Sequence, residues 1–193
     1  MSAVATTQDA APGVEQIWTI GHSTRTLEEF LGLLDTYAIE ALADVRSFPG
    51  SRRYPHFHRE ALAISVPEHG IAYQWLQKLG GRRRVLPDSP NGAWRNAAFR
   101  GYADYMATAD FEEGLDELFA FASGRRTAIM CAEAVWWRCH RSMISDVLGV
   151  RGVEVIHIID AKHSGPHPYT GPARILDGQL TYLADVGEPL RAD

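Results

Sequence analysis

Residues 131 to 141 gather two cysteines, an acid, a histidine and two arginines. Cys131 and Glu133 follow the apolar run Thr127–Met130, and Arg138, Cys139, His140 and Arg141 precede the helical pattern Ser142, Met143, Ile144, Val147, Leu148. In an open parallel sheet, ligands bind beyond the carboxyl ends of strands, where helices begin. Cys139, at a helix start beside His140 and Arg141, has surroundings that favour a thiolate, which makes it a candidate nucleophile. A small buried residue is the structural alternative. Glu133, Asp44 and His140 are the candidates for moving protons, although Glu133 could simply pair with Arg138 or Arg141. Cys131, Cys139 and His140, with His22 as a fourth, also have the ligand types that zinc takes. Against zinc, seven residues separate the cysteines and two of the ligands would be neighbours. No cofactor is otherwise evident. A cysteine-phosphatase loop is excluded, because no arginine lies six positions after either cysteine.

A second set of residues suits an anion. His22, Ser23 and Arg25 follow the first expected strand, where a backbone turn can hold a negative group. Asp44 opens a stretch carrying Arg46, Ser51, Arg52 and Arg53, followed by Tyr54, His56, Phe57, His58 and Arg59. Between Val45 and Arg59 there is no acid, and from Gln77 to Arg100 six basic residues face only Asp88. From Gly101 to Ser123 the sign reverses, with six acids and no lysine or arginine. The net charge is −5, so the chain is no polycation, and its local positive stretches point to one anionic ligand. Arginine suits bidentate grip on phosphate or carboxylate, and aromatics among arginines can stack bases. An anionic small molecule or a nucleic acid is therefore the expected partner.

The elements that must position these residues follow from periodicity. Gln16–Ile20 is a strand, and Thr26 with Glu29 has capping-box spacing ahead of a helical set, Leu27, Phe30, Leu31, Leu34, reaching to about Ala38. Ile39–Val45 is a second strand, so the first two run parallel with a right-handed crossover. A short helix over Arg59–Val66 leads to a strand over Ile71–Leu76. Helices over Phe99–Met106 and Phe111–Ala122 come next, the second with Asp110 as N-cap and Gly124 at its end. Strand Thr127–Met130, helix His140–Leu148 and strand Val153–Ile159 complete the core. Asp177-Gly178 between Arg174–Leu176 and Gln179–Tyr182 signals a type I′ hairpin. The expected fold is a three-layer α/β domain, its mostly parallel sheet of about five strands flanked by helices, with a C-terminal β-hairpin. It occupies residues 15–193, and residues 1–14 form a disordered tail.

With 193 residues and 46% apolar content, the chain can bury a core without staples. Two cysteines in one loop argue for a reducing compartment. Neither a signal peptide nor a membrane-spanning run is found, so a cytoplasmic location, away from membranes, is expected. Nothing in the sequence fixes the oligomeric state.

The ordered series Thr-Ile-Gly-His-Ser-Thr-Arg (19–25), Asp-Val-Arg-Ser-Phe-Pro-Gly-Ser-Arg-Arg (44–53), Leu-Gly-Gly-Arg (79–82), Phe-Arg-Gly-Tyr-Ala-Asp-Tyr-Met (99–106), Met-Cys-Ala-Glu (130–133), Cys-His-Arg (139–141) and His-Pro-Tyr-Thr (167–170) resembles the motifs of the domain of unknown function 488 family. The resemblance covers about Ile17 to Tyr182. It implies a bacterial or archaeal cytoplasmic α/β domain whose motif positions are His22, Ser23, Arg25, Asp44, Arg46, Ser51, Arg52, Cys131, Glu133, Cys139, His140 and Arg141, and it supplies no reaction. Three readings follow. The first is an enzyme, a hydrolase or transferase, acting on a phosphate-bearing substrate such as a nucleotide or nucleic-acid end. The others are a non-catalytic nucleic-acid-binding module and a zinc-binding or redox-sensing domain. All rest on the loops after the first, second and fourth strands meeting in one cleft.

Overall fold

The computed structural model describes residues 13–50 and 52–184, and the backbone of residues 188 and 189. Ser51 and residues 1–12, most of the expected tail, lie outside the described residues.

The core elements are β1 (Gln16–Gly21), α1 (Leu27–Thr36), β2 (Ala41–Asp44), α2 (Arg59–Glu68), β3 (Ala72–Trp75), α3 (Ala97–Met106), α4 (Ala109–Ala122), β4 (Thr127–Cys131), α5 (Arg141–Val150) and β5 (Glu154–Ile158). The capping box forms as its spacing predicts. Glu29 N donates to Thr26 Oγ1 at 3.1 Å and Thr26 N donates to Glu29 Oε2 at 2.8 Å. One cap differs from expectation. Thr108, not Asp110, caps α4, its hydroxyl accepting from Phe111 N, while Asp110 sits in the first turn, where a carboxylate favours the positive end of the helix dipole.

The main sheet runs in the order β3-β2-β4-β1-β5-β6. The first five strands are parallel, and β6 (Ser164–Pro166) is a short antiparallel edge strand paired with β5. That sixth strand carries no alternation that the sequence could announce. Alternate residues of the central strands enter two separate cores, as a two-sided sheet requires. Trp18, Ile20, Leu42, Ala128 and Met130 pack with α1 and α2, and Ile17, Ala41, Ala43 and Ile129 pack with α4 and α5. A second sheet, ordered β8-β7-β9, holds the hairpin β7 (Arg174–Leu176) and β8 (Gln179–Thr181) and the two-residue strand β9 (Glu188–Pro189). Asp177 and Gly178 at the hairpin tip both have positive φ, 52° and 78°, as a type I′ turn demands. No helix among the described residues is long and apolar enough to cross a membrane.

Strand order decides where the site falls. β4 lies between β1 and β2. The chain leaves β1 through α1 on one face of the sheet and leaves β4 through α5 on the other. Two neighbouring strands whose connections part to opposite faces mark the place where a doubly wound sheet opens for a ligand.

Candidate functional site

Cys131 ends β4. The chain then makes a loop and a 3-10 turn over Trp136–Arg138 and returns at Cys139, whose N–H donates to Trp136 O at 3.1 Å. Cys139 is extended (φ −134°, ψ 150°) and His140, the N-cap of α5, is helical (φ −57°, ψ −14°). This change of backbone conformation lets adjacent residues reach one point. His140 Nδ1 lies 3.4 Å from Cys139 Sγ and 3.9 Å from Cys131 Sγ, and the three donor atoms lie within 4.8 Å of one another. His140 Nε2 lies 2.8 Å from Val45 O. A carbonyl can only accept, so Nε2 carries the proton and the Nδ1 lone pair faces the two sulfurs. Gly81 lies flat against this ring. A Cβ there would sit 2.4 Å from His140 Cγ and Nδ1.

Both cysteines are buried and free. Burial alone would push the Cys139 thiol up, but the Cys131 thiol donates to it and Arg141 stands beside it, and together they bring it down to about 6. The same hydrogen bond, reinforced by burial, pushes Cys131 up to about 12. With zinc bond lengths of about 2.3 Å to sulfur and about 2.05 Å to nitrogen, tetrahedral ligands lie about 3.6 Å apart, close to the spacings found here.

The Asp44 arm adjoins this cluster, and its groups bind mainly one another. Arg46 donates from Nε to Asp44 Oδ1 at 2.8 Å and from Nη2 to Oδ2 at 2.5 Å, and Tyr73 OH donates to Oδ2 at 2.8 Å. Asp44 is fully buried and Arg46 is 6% exposed. Arg46 Nη1 meets His22 Nε2 at 3.2 Å, and His22 Nδ1 donates to Ser23 O at 2.9 Å. Burial, and then Arg46, lower His22 to about 4, so the neutral ring accepts from the guanidinium. Burial opposes the Arg46 charge, but Asp44 more than offsets it and holds its pKa above the ordinary value.

The remaining predicted residues divide. Arg141 is buried and donates from Nη2 to Glu133 O at 2.6 Å, while its Nε has no hydrogen-bond partner. Glu133 thus meets Arg141 through its carbonyl, and its side chain is exposed. Arg25 braces the turn, donating to Gly21 O at 2.5 Å and Ile159 O at 2.7 Å. Ser23 has φ +53° and its N–H donates to Ala132 O. Arg52 and Arg53 are exposed, outside the cluster. The loops after β1, β2 and β4 therefore do meet, bringing together His22, Asp44, Arg46, Cys131, Cys139, His140 and Arg141.

Sequence reasoning missed a buried polar chain beneath them. Thr19 Oγ1 lies 2.7 Å from His157 Nδ1, His157 Nε2 lies 2.9 Å from His167 Nδ1, and His167 Nε2 lies 2.9 Å from Asp146 Oδ1. Asp146 also accepts from Thr170 N, Thr170 Oγ1 and Tyr182 OH. The Asp146 carboxylate only accepts, so His167 Nε2 donates to it. Arg141 Nη1 reaches Thr19 at 3.5 Å, and Trp136 stacks flat on His157 with centroids 4.3 Å apart. Burial, then His167 and Arg141, push His157 down to about 2. A histidine inside the apolar strand pattern, together with His-Pro-Tyr-Thr (167–170), was the available signal.

Residues 26–148 match the family model described as Domain of unknown function DUF488. That span holds the Asp44–Arg46 pair and the whole thiol cluster, and leaves His22 and the C-terminal sheet outside it. No curated protein and no solved structure matches the chain.

Proposed function

The chain belongs to the DUF488 family, and on that premise we propose that Cys131, Cys139 and His140 hold a thiophilic divalent cation of the zinc class, at the centre of an enzyme acting on a phosphate-bearing substrate. The observation that carries this reading is His140. Its Nε2 is anchored on Val45 O while its Nδ1 lone pair faces both sulfurs at 3.4 and 3.9 Å. An orienting hydrogen bond on the far nitrogen is the usual companion of a metal-bound imidazole. Three protein donors leave a fourth position for water or substrate, the pattern of catalytic rather than structural zinc. The reaction class that suits it is hydrolysis or group transfer at phosphorus.

Elemental analysis of the purified protein is expected to find about one zinc per chain. Cobalt(II) is expected to give a thiolate charge-transfer band that Cys139→Ser and His140→Ala remove while circular dichroism stays unchanged. Protein that is metal-free and silent with cobalt would overturn the reading. The enzyme half is tested by turnover of phosphomonoesters and phosphodiesters by the zinc-loaded protein, and no turnover on either class removes it.

A second reading is favoured by the position of Cys139 beside Arg141 at the amino end of α5, with its thiol lowered to about 6. In metal-free protein Cys139 then acts as a nucleophile. Iodoacetamide is expected to label Cys139 before Cys131, as read by mass spectrometry, and equal labelling would dismiss it.

A further inference from the structure

The two basic loops predicted from sequence form one rim. Arg82 N donates to Ser47 Oγ at 2.9 Å. Gly80 presses so closely on Ser47 that a Cβ would lie 2.6 Å from its Oγ. The loop carrying Phe48, Arg52 and Arg53 is thereby fixed against the loop carrying Arg82 and Arg84, next to the Gly81 backbone that covers His140.

The rim combines exposed cations with an exposed aromatic ring. Some cations elsewhere hold acids, Arg46 with Asp44, Arg59 with Glu60, Arg151 with Glu112, and Lys78 with Glu113 and Glu117, while others, such as Arg125 and Arg126, donate to backbone carbonyls. Among the described residues, Arg52, Arg53, Arg82 and Arg84 make no ion pair with an acid, and all four are exposed. Phe48, 70% exposed, is also the most exposed of the large hydrophobic side chains described, and the Arg82 guanidinium lies 5.8 Å from its ring centroid. Beside them lies a hollow of about 230 Å³ whose lining includes Phe48, Arg82, Gln77 and Asp110. Asp110 repels a phosphate, but Gln77 and Asp110 can pair with the amide and amino edges of a base.

We propose that this rim binds single-stranded nucleic acid, with a base stacked on Phe48 over the hollow and the backbone phosphates on Arg52, Arg53, Arg82 and Arg84. The inference deepens the functional reading above by naming its phosphate-bearing substrate. Unpaired arginines supply the phosphate grip, and an exposed ring supplies a stacking face that suits any base. A duplex keeps its base faces stacked inside and cannot use Phe48, so the single strand is the ligand that fits both features.

The test is fluorescence anisotropy with a short labelled oligonucleotide, as single strand and as duplex, over a salt series. The single strand is expected to bind more tightly. Phe48→Ala is expected to weaken it about tenfold or more. Each of Arg52→Ala and Arg82→Ala is expected to lower the slope of log affinity against log salt by about 0.7. Arg125→Ala, at the amino end of β4, should change nothing. All these side chains are exposed, so folding is not at stake. No binding at low salt, a preference for duplex, or indifference to Phe48→Ala and both arginine substitutions would overturn the proposal. Elemental analysis of the same preparation separates the two readings: metal-loaded protein that ignores the strand defeats this one, and metal-free protein that binds it defeats the other.

Discussion

Asp44 and Arg46 form a bidentate pair with almost no access to solvent. Removing one partner of such a pair leaves the other charge buried and uncompensated. Arg46→Met is therefore expected to cost about 3–5 kcal/mol in urea unfolding, and adding Asp44→Leu to recover most of that loss. A loss below about 1 kcal/mol would mean that the pair is solvated. His22 and His157 act in another way, since both are held neutral in the fold, at about 4 and about 2. A folded-state histidine pKa below the unfolded value of about 6.5 means that the unfolded chain binds the extra proton first. The stability they contribute is full above about pH 6.5 and is lost as pH falls through about 6.5 toward about 4. The urea midpoint is expected to drop over that window, and to drop less in His157→Gln. An identical pH profile in that variant would show that His157 takes no part.

At the scale of elements, the site depends on chain segments that approach too closely for a side chain. A Cβ on Gly21 would lie 1.8 Å from Glu133 O, and one on Gly81 would meet the His140 ring at 2.4 Å. Gly81→Ala must move either the loop or the imidazole, and thus the lone pair facing the sulfurs. Its zinc affinity, measured by competition with a chelating dye, is expected to fall about 10- to 100-fold, the usual effect of disturbing what orients a ligand. The far-ultraviolet spectrum should not change, because the glycine lies outside any helix or strand. Unaltered affinity would place the three donors outside any metal centre. α5 carries the other half of this geometry. Its N-cap is a ligand candidate, and its first residue, Arg141, reaches Glu133 O and Thr19.

For the whole molecule, Asp146 joins parts of the chain that no local pattern connects. It sits on α5 and accepts from His167, Thr170 and Tyr182, so the helix, the segment after β6 and the end of the C-terminal hairpin meet on one carboxylate. Asp146→Ala leaves these buried donors unsatisfied at about 1–3 kcal/mol for each one that cannot find water. A loss of more than about 3 kcal/mol is expected, with limited proteolysis opening the chain beyond β5 first. Loss of stability without that local cleavage would show that Asp146 supports only α5. The chain Thr19–His157–His167–Asp146 also runs under Arg141 and Trp136, so damage at the carboxylate should reach the thiol cluster.

The sequence by itself determined the elements and the stretch that bears the chemistry. The capping box at Thr26 and Glu29, the turn at Asp177-Gly178 and the apolar run before Cys131 all rest on interactions within a few residues, which spacing records directly. The fold class followed from their alternation, and Asp110 shows the limit, because two capping residues stood two positions apart and only packing chose Thr108. Tertiary structure decided how the chemical groups are used. Inserting β4 between β1 and β2 brings Val45 O to His140, 95 residues away, and Arg46 to His22, 24 away. It also left Arg52 and Arg53 on the rim, drew Arg46 into a pair with Asp44, and sank His157, His167 and Asp146 into one network. A hydrogen bond between distant residues depends on strand order and on which face each helix covers, and neither quantity is written in periodicity.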